Sequence, residues 1–307
     1  MTTLKPWTLQ RLLLTIGISL LLWAVLAGVC LMMGSSTKFG IPWVLDPQTR
    51  QYHLDGKVLA GRWEYVRLAS IVGAALASAG VVFQALLRNP LAEPYLLGVS
   101  SGASLLSFIW TLPAVSGVLS IGAGVYIGQQ TASFVGALAS MLLVFMLASN
   151  RGRLEPVSLL LVGVIVNSLN GAIFLMLISI IKDPATPGGP IAFLVGGLQG
   201  VVRPEQLWIA GGIILVSWMI LLLVSGKLNA AFLSDAEAAS LGVRVQWLRW
   251  GGLILASLMT AAAVAISGPI GFVGLVCPHV ARLLVGNDQR KLLPVATALG
   301  AGLLALA

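Results

Sequence analysis

Residues 94–150 read PYLLGVSSGASLLSFIWTLPAVSGVLSIGAGVYIGQQTASFVGALASMLLVFMLASN, 57 consecutive residues without one Lys, Arg, Asp or Glu. As a single helix this stretch would measure roughly 85 Å, against a bilayer hydrocarbon core about 30 Å thick. It therefore holds two spans, and Pro113 with Ser116-Gly117 supplies the turn between them. The rest of the chain follows the same reading. Of its 307 residues 58% are hydrophobic and 9% charged, where a soluble domain carries about 25% charged residues. The fold class is an all-α polytopic membrane protein, one transmembrane domain over residues 1–307, with broken and re-entrant helices.

Working outward, the other charge-free stretches are Leu12–Thr37 (26 residues), Leu68–Leu87 (20), Pro156–Ile181 (26), Gln206–Gly226 (21), Trp250–Ala281 (32) and Leu292–Ala307 (16). About 20 apolar helical residues cross the core. Leu12–Thr37 follows Lys5 and Arg11 as a signal peptide would, but it exceeds the roughly 7–15 apolar residues of such a peptide, so it is read as a span that stays. The 32-residue stretch breaks at Ser267-Gly268-Pro269-Ile270-Gly271, leaving a short second helix that runs on past Arg282. Pro184–Val202, rich in Gly and Pro, reads as a short or re-entrant piece packed on protein. The expected count is nine spans, the last short.

A net charge of +8 would suggest nucleic acid in a soluble protein; here no nucleic-acid partner is expected, because Lys and Arg flank spans in membrane lipid and set their orientation. With the amino terminus inside, eleven basic residues, among them Arg88, Arg151, Arg153, Arg244 and Arg249, fall on the inner side. Seven fall outside: Lys38, Arg50, Lys57, Arg62, Arg67, Lys182 and Arg203, the first five in one long loop. Gly98-x3-Gly102 and Gly124-x3-Gly128 place small residues one turn apart, as close helix packing needs.

No Asp, Glu or Lys lies mid-span, which argues against a proton-coupled carrier. No G-x-x-x-x-G-K-[ST] phosphate loop is present, so a powered transporter draws its energy from another subunit. Cys30 and Cys277 lie in apolar runs, and neither His53 nor His279 has a cluster of ligating residues around it, so no metal site and no catalytic residue is assigned; His279 is expected at a helix-terminus hydrogen bond. The chain is read as a transport subunit, not an enzyme.

Residues 229–249 read NAAFLSDAEAASLGVRVQWLR. Ser234 and Glu237 form a capping-box pattern, Asp235 suits the first turn, and Gly242 supplies a left-handed stop after Leu241. The outcome is a helix of about two turns that cannot cross a bilayer. It is either a solvated inner loop or a docking helix for a cytoplasmic partner.

Two blocks carry a family resemblance. Gln84–Ala103, QALLRNPLAEPYLLGVSSGA, and Ser267–Leu284, SGPIGFVGLVCPHVARLL, resemble the FecCD family of ABC importer permeases for iron–siderophore, haem and vitamin B12. Ala236, Glu237, Ala238, Ala239, Leu241 and Gly242 resemble its coupling-helix segment. The resemblance implies a ten-span homodimer, two cytoplasmic ATPase subunits that bind ATP and Mg, and an extracytoplasmic substrate-binding protein. The function it implies is uptake of a metal chelate across the bacterial inner membrane by alternating access, an iron–siderophore first; a stand-alone secondary carrier or channel is the alternative. The resemblance assigns ATPase docking to Ser234, Asp235, Ala236, Glu237, Ala238, Ala239, Leu241 and Gly242, and an inner gate to Glu155 and Pro156. Ser100, Ser101, Gly102, Ser104 and Asn167 have chemistry suited to the path, and helix packing suits them equally. For binding-protein docking the family shows R-x-P-R, where this chain has Arg62-Trp63-Glu64-Tyr65, so Arg62 carries over and Arg67 is the substitute for the second arginine. With the last span reaching only Ala307 and the family's tenth span absent, the expectation is that the natural protein is longer or that this chain is a truncated fragment.

Overall fold

Of helices α1 (Leu9–Met32) and α2 (Gly56–Leu86), the second carries the architecture. The computed structural model describes residues 9–32, 43–45, 52–54, 56–112, 115, 128–180, 196–198, 202–232, 235–240 and 242–307. Within it, 83% of the apolar stretch of α2 is buried, against 11% for α1. Small residues explain this: Ala69, Gly73, Ala77, Ser78 and Gly80 let neighbours approach α2 on every side. After α2 come α3 (Val99–Thr111), α4 (Gln129–Ala148), α5 (Pro156–Ile180), α6 (Pro204–Leu228), α7 (Asp235–Ser240), α8 (Val245–Ser267), α9 (Val273–Val285) and α10 (Gln289–Leu306). Helices α8, α9 and α10 pack on α2, α1 packs on α10, and α3 pairs with α4. The outward faces of α1, α5 and α6 carry exposed Leu, Ile and Val, as hydrocarbon requires.

Nine of the ten α-helices described fall on the nine expected segments, but they are not nine equal crossings. Six are long and apolar enough to cross: α1, α2, α4, α5, α6 and α8. The 13-residue α3 and α9 reach only about 20 Å. In residues 94–150 the first expected span is thus cut down. Pro94–Leu97 forms a 3-10 turn, and Gly98, at φ +75°, delays the start of α3. Gly98 and Gly102 therefore do not share a helix face: Gly98 is a left-handed joint, whereas a Cβ on Gly102 would overlap the Gly136 carbonyl oxygen of α4.

The break at 267–271 falls where expected, with α8 ending at Ser267 and α9 running past Arg282 to Val285. The expected turn at Pro113 and Ser116-Gly117, and Gly124, lie outside the described residues. So does most of Pro184–Val202; its described part is seated on protein, Gly197 N–H donating to the Ser267 carbonyl at 2.8 Å.

A further expectation needs correction. Lys57, Arg62 and Arg67 are not in a loop but on the first turns of α2, which starts well before Leu68 because nothing in Gly56–Arg67 interrupts a helix. Between α4 and α5 the chain makes a small hairpin, β3 (Ser149–Asn150) with β4 (Arg153–Leu154). Arg151 (φ +50°) and Gly152 (φ +76°) form its turn, the left-handed pair that matches the twist of a two-residue hairpin. A second hairpin, β1 (Trp43–Leu45) with β2 (Tyr52–Leu54), lies between α1 and α2.

Candidate functional site

The two sequence blocks meet in space. Gln84, buried on α2, accepts from the Arg282 guanidinium of α9 at 2.9 Å and donates to the Gly274 carbonyl at 3.4 Å. Glu93 accepts the Phe272 N–H at 2.6 Å, and the Tyr95 hydroxyl accepts the Ile270 N–H at 2.9 Å. A Cβ on Gly80 would overlap the Gly274 carbonyl, and Pro94 lies against Gly274. Phe272 is held left-handed at φ +68°, where a bulky side chain rarely sits. These bonds tie α9 to the central α2 and to the turn that leads into α3. His279, expected at a helix terminus, is instead exposed in the middle of α9.

At the end of the bundle that carries Arg88, Arg153, Arg244 and Arg249, here called the basic end, α6 runs through a 3-10 turn (Asn229–Phe232) into α7. Helix α7 is six residues long. Gly242, at φ +75°, donates its N–H to Ala239, and Val243 N–H donates to Ala238. This paired closure, with Val243 packed over buried Ala238, is a Schellman stop. Ala238 faces the protein, while Glu237 and Ala239 face outward. Ser234 and Leu241 lie outside the described residues, and so do the side chains of Asp235 and Ala236.

The hairpin β3–β4 is pinned to the first turn of α8. Gln246 Oε1 accepts the Leu154 N–H at 3.1 Å, buried Arg249 donates to the Leu154 carbonyl at 2.8 Å, and Trp250 Nε1 donates to Gly152 at 3.1 Å. Glu155 and Pro156, the expected gate, directly follow this clamp at the start of α5. The expected gate and the expected docking segment are therefore brought together: Glu155, Pro156, Ala239 and Gly242 line one cleft of about 790 Å³.

The expected path residues are spread over α3 and α5. Ser100, Ser101 and Asn167 are partly buried; Gly102 and Ser104 are buried. Gly102 is in tight contact with α4, and Ser101 donates to Gly98 while accepting from Asn170 at 3.1 Å. Asn170 also donates to Ser140 at 2.7 Å, so it bridges α3, α4 and α5. Sequence reading passed over Asn170, although an amide inside a span is itself a signal. Asn170→Leu is expected to cost about 1–2 kcal/mol and to lower the thermal unfolding midpoint of the detergent-purified chain. At the far end of α2, Arg62 donates to the Leu31 carbonyl of α1 at 3.1 Å, and Arg67 pairs with Glu64 at 3.9 Å. Among the described residues no three His, Cys, Asp or Glu side chains converge as a metal site would need.

Comparison with known proteins agrees with this geometry. The FecCD transport family profile matches residues 12–307. The chain is 36% identical over 297 residues to the hemin transport system permease protein HmuU of Yersinia pestis, covering 95% of this chain and 85% of that one. It is 38% identical over 241 residues to the cobalamin import system permease protein BtuC of Halobacterium salinarum, covering 78% of this chain and 62% of that one, just under two thirds of the latter's length. Among solved structures it superimposes on a chain described as an inward-facing metal-chelate type ABC transporter, with a TM-score of 0.77, 29% identity, and 95% and 88% coverage. With both sequence blocks joined in one structure and the family profile matching residues 12–307 of this chain, the chain belongs to the FecCD transport family.

Proposed function

We propose that this chain is the membrane-spanning permease subunit of an ABC importer for a metal-chelate nutrient, working as a homodimer with two ATPase subunits that bind ATP and Mg, and with an extracytoplasmic binding protein. The basic end faces the cytoplasm, in keeping with the excess of Lys and Arg there, and the membrane is the bacterial inner membrane. The observation that carries the reading is α7: a helix too short to span, closed by the Gly242 stop, with Glu237 and Ala239 turned outward and Ala239 in one cleft with Glu155 and Pro156. A rigid short helix of this kind converts ATPase movement into movement of the spans, and Gly242 fixes where that lever ends. Relatives named for haemin and cobalamin support a large chelate as cargo; an iron–siderophore is the first to test. Ser100, Ser101, Gly102, Ser104 and Asn167 are the proposed path, and Arg62 with Arg67 the proposed binding-protein contact.

The test is reconstitution with the ATPase in liposomes. Glu237→Lys reverses a charge on the outward face of α7, and ATP-driven uptake is expected to fall at least tenfold while the chain still purifies intact. Wild-type uptake by that variant counts against the docking role. Uptake by the chain alone, with no ATPase present, overturns the whole reading in favour of a secondary carrier.

A further inference from the structure

The cleft at the basic end gathers positive charge beside the proposed docking helix. Arg88, Arg153, Arg244 and Arg249 all line it, and among the described residues Glu155 is the one carboxylate in its lining. These residues come from three separate parts of the chain: the end of α2, the β3–β4 hairpin and the start of α8. Positive charge gathered this way draws anions to the cleft.

The backbone reinforces the sign. The amino-terminal ends of two long helices, α5 at Pro156 and α8 at Val245, line the same cleft. The residue before α8, Arg244, does not cap its first turn through its side chain, and the leading N–H groups of a helix have no partner within it. Helix amino-terminal ends carry partial positive charge and favour phosphate and other oxyanions. The walls are also fixed in advance. Arg88 Nε donates to the Ala231 carbonyl at 2.7 Å, and the hairpin is bonded to α8 through Leu154, Gln246 and Arg249. Arg153 and Arg244 are exposed at its rim, and among the described residues neither pairs with a carboxylate. A volume of about 790 Å³ lies in the range of small-molecule sites.

We propose that this cleft binds a phosphate-bearing anion, its phosphoryl oxygens received by Arg153, Arg244 and the first turn of α8. Guanidinium forks match phosphate oxygens two at a time, which lysines would not do. A ligand held there touches the hairpin that precedes α5 and the loop that closes α7, so it would couple the proposed gate to the proposed docking helix. The phosphoryl group can come from a soluble phosphate ester or from an anionic lipid headgroup at the membrane face. The site itself does not depend on the importer assignment, though its coupling role does.

The test uses the full chain, purified in detergent and incorporated into nanodiscs. One arm titrates pyrophosphate by calorimetry; the other compares retention of phosphatidylglycerol and phosphatidylcholine by native mass spectrometry. Arg153→Gln with Arg244→Gln, both at exposed positions, is expected to weaken binding about tenfold or more without moving the unfolding midpoint. Pyrophosphate binding lost in the variant supports a soluble ligand, and selective loss of phosphatidylglycerol supports a lipid headgroup. If neither ligand distinguishes wild type from the variant, the proposal is overturned. It is equally overturned if the variant binds pyrophosphate normally but fails to hold the ATPase, because the arginines then serve a protein carboxylate. Failure of wild type to hold any ATPase counts against the importer reading instead.

Discussion

Gly80→Leu is expected to abolish a folded, monodisperse protein. Gly80 faces α9 at the point where the two helix backbones touch, and even a methyl group there would overlap the Gly274 carbonyl carbon and oxygen. The obstacle is backbone, which cannot turn aside as a flexible side chain can. Relief would require α9 to move away from α2, and α9 is also held by Gln84, Glu93 and Tyr95. Overpacking of a tight core costs about 1–3 kcal/mol for a few added carbons, and an isobutyl group against backbone belongs above that range. Gly80→Ala is the graded control, expected to survive with an unfolding midpoint well below wild type. Gel filtration in detergent and a thermal melt read both. A Gly80→Leu protein that elutes and melts as wild type would show that α2 and α9 do not meet as described.

The second large effect is expected from Gln84→Leu. The amide sits 1% exposed and joins α2 to α9 through two bonds, at 2.9 Å to Arg282 and 3.4 Å to the Gly274 carbonyl. Leucine fills similar space but leaves the Arg282 guanidinium without that acceptor. Hydrogen bonds to charged groups contribute about 1.5–3 kcal/mol, so a loss of about 2–3 kcal/mol is expected, with transport reduced further because α9 loses its register. Gln84→Glu keeps an acceptor for Arg282 and should retain more stability than Gln84→Leu. The double variant Gln84→Leu with Arg282→Leu should recover part of the loss, because the stranded charge is removed. Equal melts for wild type and Gln84→Leu would remove this bond from the account of how α9 is held.

How much of this could be read from the chain depends on the range of the interaction. Local signals were legible. The break at Ser267–Gly271 rests on Gly and Pro side by side, and the stop at Gly242 rests on one left-handed residue; both occur where the sequence places them. The lengths of α2 and α3 were not legible from charge alone. Charged residues at the end of a span mark where lipid ends, not where the helix ends, so α2 continues through Arg62 and Arg67. Conversely, residues 94–98 are apolar enough for a span yet are not α-helical, because Gly98 turns left-handed. The pairing of Gln84 with Arg282, 198 positions apart, was present only as two separate motifs.

The sequence by itself determined the solvent of this protein. With charge nearly absent from stretches longer than a bilayer crossing, every backbone group there must be satisfied within helices, and that fixes an all-α membrane fold. Tertiary structure alone decided which residues share a site. Glu155, Gly242 and the four arginines come from distant parts of the chain, and their meeting at one cleft depends on how β4 and α7 pack on α8, which in turn packs on α2. Helix packing is set by small surface shapes such as the glycine contacts, whose partners are not marked in a linear sequence. Hydrophobic pattern chooses the medium and the element; close packing chooses the neighbours.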